Sequence, residues 1–169
     1  MTATDTRTPR AAARTRAAAT ALAVAAAGVD LGAKAWANAT LPGDPVSLGL
    51  LELRLAFNPG VAFSLGDTLP AWMVIAFTGA ITAAIGVFAW RTAPRSRAAA
   101  WALAVILGGA ATNLADRAAD GQVTDYLHTG WWPTFNLADV FIVCGGLAVV
   151  ALSWRNPHDQ ADETPSATA

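Results

Sequence analysis

Between Asp67 and Arg91 the chain runs for 23 residues, Thr68 to Trp90, without a single charge. A helix of that length reaches about 35 Å, enough to cross a hydrocarbon layer of about 30 Å. Two further stretches repeat the feature. Ala98 to Ala115 is uncharged and fenced by Arg97 and Asp116, and Thr134 to Trp154 carries one charge, Asp139, about one and a half helical turns in from its start. Charged residues are only 14% of the chain, against about 25% in a soluble domain, which excludes a disordered chain and disfavours a water-soluble globule. A fourth span is expected over 17–36, where an alanine-rich run takes in Asp30 and Lys34. The rival for this segment is a cleavable signal peptide, with Arg14 and Arg16 as its basic region and Ala25-Ala26-Ala27 as the cut site. Asp30 and Lys34, four residues apart, share a helix face and can pair inside a bundle, which favours a retained span.

The expected fold is therefore a mainly α membrane protein of four transmembrane helices, over about 17–36, 68–90, 98–115 and 134–154. Eight of the 11 Lys and Arg lie before the first span, between the second and third, or after the fourth, so both termini and the middle loop are expected on the cytoplasmic side. Segment 37–67 then faces outward. Leu51, Leu53, Leu55 and Phe57 alternate with Glu52, Arg54 and Ala56, the period of a strand with one apolar face, and Leu41 to Pro45 reads as the turn into it. A small extracytoplasmic β-sheet lying on the membrane surface is expected there. The peptide from 17 to 154 forms one domain, flanked by polar tails, 1–16 and 155–169, expected to be disordered. Six of the seven Trp fall near span ends, as an interfacial belt does.

One Cys and two His exclude a disulfide framework and a usual zinc site, and neither a phosphate-binding loop nor a basic stripe for nucleic acid is present. The carboxylates are the next candidates for chemistry. The third span ends and the fourth begins at the same membrane face, which gathers Asn113, Asp116, Arg117, Asp125, Asn136 and Asp139. An acid near a span's end can simply reach water, and Asp116-Arg117 can be an ordinary ion pair. Two Asn-to-Asp pairs at three-residue spacing, Asn113 with Asp116 and Asn136 with Asp139, each place amide and carboxylate on one helix face. Two carboxylates in a poorly solvated site share a proton, which is acid/base machinery for activating water against a peptide carbonyl. Spacing alone does not choose between Asp116 and Asp125 as a member of such a pair.

The motifs Asp30 with Lys34, Asn58-Pro59-Gly60-Val61-Ala62-Phe63-Ser64, Gly108-Gly109 through Asn113-Leu114-Ala115-Asp116-Arg117, Val123-Thr124-Asp125-Tyr126, and Trp132-Pro133-Thr134-Phe135-Asn136-Leu137-Ala138-Asp139 stand in the order of one family. In these the chain resembles lipoprotein signal peptidase, or signal peptidase II, the bacterial aspartyl membrane protease that processes prolipoproteins. The resemblance implies that Asp125 and Asp139 are the catalytic dyad, that Asn113, Asp116 and Asn136 support it, and that Arg117 and Asn58 hold the substrate backbone, with Gly60, Asp30 and Lys34 among the supporting positions. It implies no cofactor and no metal, lipid-modified prolipoproteins and membrane lipids as partners, and a multi-pass protein of the bacterial plasma membrane with its site at the extracytoplasmic face. Thr124-Asp125-Tyr126 departs from the family's usual Val-Asp-Phe, and the segment from Asp125 to Asp139 is short.

Two other functions compete. A proton-coupled carrier using Asp30, Asp116 and Asp139 as a relay requires acids spread through the membrane depth, whereas most of these acids lie at one face. A hydrolase with Ser64 as nucleophile and Lys34 as base lacks any local signature around Ser64.

Overall fold

The computed structural model describes residues 8–59 and 70–155. Four helices, α1 (Pro9–Thr40), α2 (Ala71–Thr92), α3 (Arg97–Asp120) and α4 (Leu137–Arg155), are each long and apolar enough to cross a membrane. The three strands are β1 (Val46–Ser47), β2 (Glu52–Asn58) and β3 (Val123–His128). They form one antiparallel sheet in the order β1-β2-β3.

Helix α1 differs from the expectation at both ends. It begins at Pro9, inside the segment 1–16 expected to be a tail, and ends at Thr40. Pro9 occupies the first turn, where its missing N–H costs nothing, and the alanines and arginines that follow are strong helix formers. The tails at 1–7 and 156–169 lie outside the described residues, as does the span start at 68–69. Helix α4 starts three residues later than expected. Residues 134–136 are extended instead, and Phe135 pairs with Leu127 beside β3.

Helix α3 is the hub, packed against α1, α2 and α4. Its glycines allow this closeness, as small residues do wherever membrane helices pack. A Cβ on Gly108 would lie 2.6 Å from the Ala23 carbonyl of α1, and one on Gly109 would lie 2.6 Å from the Ala138 carbonyl at the start of α4. Ser96 caps the helix by accepting from Ala99 N–H at 3.2 Å. At the other end Gly121, at φ 74°, turns the chain into β3 in a left-handed conformation that a side chain would strain.

The sheet joins the helices through an apolar cluster of Ala37, Leu41 and Tyr126, against which Leu53 and Leu55 pack. Part of the apolar face of β2 is thus turned onto the end of α1. A register irregularity between Leu53 and Ala56 interrupts the alternation, and Phe57 is exposed instead of joining Leu53 and Leu55. All seven Trp are exposed on the surface of the bundle.

Candidate active site

The end of α3, the start of α4, the C-terminal half of α1 and strands β2 and β3 converge on one polar cluster. Helix α1 brings Asp30 and Lys34, both buried, into an ion pair of 2.9 Å, the pairing that their four-residue spacing implied. The same ammonium reaches the Asp116 carboxylate at 2.9 Å and donates to Asn113 Oδ1 at 2.8 Å. One ammonium thus contacts oxygens of three residues on two helices. Asp30 Oδ1 accepts from the Ala138 N–H at 2.8 Å, tying the start of α4 to α1. Asp116 Oδ2 also accepts from Thr124 N–H at 3.3 Å, which anchors β3.

Asp125, on β3, is 2% exposed. Its Oδ1 accepts from Asn136 Nδ2 at 2.7 Å, and its Oδ2 accepts from Asn58 Nδ2 at 3.2 Å. Burial is the main influence on this carboxyl and, with the charge of Asp139, raises it from 3.8 to about 6. The amide hydrogen bonds from Asn136 and Asn58, and the more distant charge of Lys34, oppose the rise without cancelling it. Burial likewise pushes the neighbouring Tyr126 phenol up to about 12, so it stays neutral.

Asp139 sits in the first turn of α4. Its Oδ1 accepts from Asn113 Nδ2 at 2.9 Å and its Oδ2 from Asn136 N–H at 3.1 Å. Asn136 Oδ1 in return accepts from Asp139 N–H at 3.1 Å. This reciprocal pair is a capping box, so Asn136 and Asp139 do not share a helix face as their spacing suggested: Asn136 stands before the helix and starts it. Asn136 is fully buried and joins both carboxylates, Asp125 through its amide and Asp139 through its backbone. It also donates to Asn113 Oδ1 at 3.1 Å. Asn113 and Asp116 are likewise linked through Lys34 rather than to each other.

Asp139 is partly open where Asp125 is closed. One cavity of about 420 Å³ beside it is walled by Trp131, Trp132, Phe135, Val143 and Cys144. Another, of about 250 Å³, lies between α2, α3 and α4 and also reaches Asn113 and Arg117. Arg117 Nη1 donates to the Asn113 carbonyl at 3.2 Å, while its buried Nε has no hydrogen-bond partner among the described residues. Gly60 and Ser64 lie outside the described residues. The commitment of Lys34 to two carboxylates removes the physical basis for treating it as the base of a serine hydrolase. The Lys34 bridge to Asp116 and the Ala138 contact with Asp30 leave no local signal, because both join segments far apart in sequence.

Residues 22–155 match the family model of signal peptidase (SPase) II. The chain belongs to the signal peptidase II family. Among the curated relatives of this family, the chain is 39% identical over 133 residues to the lipoprotein signal peptidase of Rhodococcus jostii, spanning 73% of this chain and 66% of that one. It is 33% identical to the lipoprotein signal peptidase of Cellvibrio japonicus over 82% of this chain and 86% of the relative. A solved bacterial membrane enzyme shares the fold with a TM-score of 0.70 at 20% identity, covering 88% of this chain and 94% of the other. A second such enzyme has a TM-score of 0.68 at 21% identity, covering 83% and 94%. A multi-pass membrane protease of four helices and a small sheet is the common ground of family, fold and hydropathy.

Proposed function

We propose that this signal peptidase II is a membrane aspartyl endopeptidase that removes signal peptides from prolipoproteins, cutting on the amino side of a diacylglyceryl-modified cysteine. The observation that carries the aspartyl reading is the division of labour among four acids. Asp30 and Asp116 form ion pairs with Lys34, whereas Asp125 and Asp139 are bridged by Asn136 and form no ion pair among the described residues, feeling Arg117, and in the case of Asp125 also Lys34, only through the charge.

Of the pair without an ion-pair partner, one carboxyl holds a proton and the other is ionised. The ionised group takes a proton from a water as that water attacks the scissile carbonyl, and the protonated group donates to the carbonyl oxygen. As the C–N bond breaks, the proton taken from water passes to the departing amide nitrogen, and the proton on the former carbonyl oxygen returns to the other carboxyl as the C=O re-forms. The substrate-side roles of Arg117 and Asn58 are to hold the peptide backbone. Arg117 supports this with a buried N–H that meets no protein acceptor among the described residues, beside the cavity that Asp139 shares. The apolar cavities on either side of Asp139 suit a substrate that brings acyl chains and a hydrophobic helix to the site.

The clustering of Arg at the far end of the bundle supports cytoplasmic termini and a site on the extracytoplasmic side. The test is to incubate purified protein with a lipidated prolipoprotein peptide and with the same peptide lacking lipid. Cleavage of the lipidated peptide alone is expected, and cleavage of neither sinks the reading.

A further inference from the structure

At the end of the bundle opposite the carboxylates, α1 and α2 flank α3 and touch each other little. The gap is a slot of about 390 Å³ walled by Ala19, Ala23 and Ala27 of α1 and by Gly86 and Ala89 of α2, with Leu107 of α3 as its floor. That volume lies in the range of small-ligand sites. Along its length the slot offers an occupant almost nothing to hydrogen-bond, so it suits a hydrocarbon chain.

Its mouth is different. Arg16 Nε donates to the Trp90 carbonyl at 3.4 Å, and the guanidinium lies 4.5 Å from the centre of the Trp90 ring. These contacts tie α1 to α2 across the mouth while using one N–H and one face of the guanidinium. The remaining N–H donors point to a planar or tetrahedral anion. Among the described residues Arg16 has no ion-pair partner. The nearest acid along α1 is Asp30, 14 residues on, or about 21 Å of helix. Arg10, Arg14, Arg91 and Arg95 are exposed at the same end, and every described carboxylate lies toward the other. A molecule that matches both parts carries an acyl chain and a net negative phosphate headgroup.

We infer that the slot binds one acyl chain of an anionic phospholipid, with the headgroup phosphate on Arg16. The site is separate from the carboxylate cluster and does not depend on how that cluster works.

The test is native mass spectrometry of the detergent-solubilised full chain titrated with phosphatidylglycerol or with phosphatidylcholine of the same chain length. The wild type is expected to retain one phosphatidylglycerol at least tenfold more tightly than phosphatidylcholine. Arg16→Gln should erase that preference, and Arg16→Lys should keep most of it. Gly86→Leu should weaken both lipids at least tenfold. A Cβ at Gly86 meets nothing closer than Leu107 Cδ1 at 3.7 Å, so the larger side chain starts in open space at the slot wall, and unchanged cleavage activity reports that the variant's fold is intact. Equal affinity for the two lipids in the wild type overturns the inference. So does unaltered phosphatidylglycerol binding in Arg16→Gln and Gly86→Leu, or its loss in Arg16→Lys.

Discussion

Two pairs of aspartates sit within the same polar cluster and differ in what holds them. Asp30 and Asp116 share one ammonium, Lys34. Asp125 and Asp139 are held by the amides of Asn58, Asn113 and Asn136 and by one backbone N–H. A carboxylate paired with a buried cation is fixed in its charged form, because protonating it would strand the cation. A carboxylate held by neutral donors keeps both protonation states within reach. The first pair pins α1 to α3 and α4, whereas the second is held only through hydrogen bonds, the setting that the proposed proton sharing requires.

The sharpest way to break this contrast is to remove the ionisable group from each member of the amide-held pair. Asp125→Asn and Asp139→Asn preserve shape and should each lower turnover of a lipidated peptide by roughly 10³-fold or more, with melting in detergent showing that the fold survives. Lys34→Met strands two carboxylates and should cost about 3 to 5 kcal/mol of stability, read as a lowered unfolding midpoint together with lost activity. An unchanged midpoint would mean that the ammonium does not organise the cluster. Asp116→Asn keeps the acceptor for Thr124 N–H and should slow turnover only about 10-fold, or some 1.4 kcal/mol of barrier. A loss as deep as that of Asp125→Asn would move Asp116 into the dyad.

The contrast also has a pH signature. Asp125 is raised from 3.8 in the unfolded chain to about 6 in the fold. Between those values the folded state holds a proton that the unfolded state has released, so stability should decline as pH rises from about 4 to about 6 and level off above. Asp125→Asn should flatten that decline and melt higher than the wild type at neutral pH, which thermal scans across pH will check. Turnover should follow a bell whose limbs belong to the pair. The smallest expected effect is that of EDTA, which should leave the rate unchanged. Loss of activity restored by a divalent metal would recast the carboxylates as ligands.

The number of spans, their approximate extents and the partnership of Asp30 with Lys34 follow from local rules. Hydrocarbon requires about 20 apolar residues per crossing, and a helix places residues four apart on one face, so charge-free runs and spacing are enough. The gathering of Asn113, Asp116, Arg117, Asp125, Asn136 and Asp139 was legible for the same reason, since successive spans must meet at one face. Local rules erred where a competing contact intervened. Residues 134–136 carried the apolar signal of a span, but Phe135 pairs with Leu127 and Asn136 becomes a cap. Phe57 matched the apolar alternation of its strand, yet a register irregularity turns it outward. Which acid meets the cation lay beyond any spacing rule. Lys34 and Asp116 are joined only because Gly108 and Gly109 bring α3 close to α1 and α4, and that closeness is a property of packed helices rather than of any one segment.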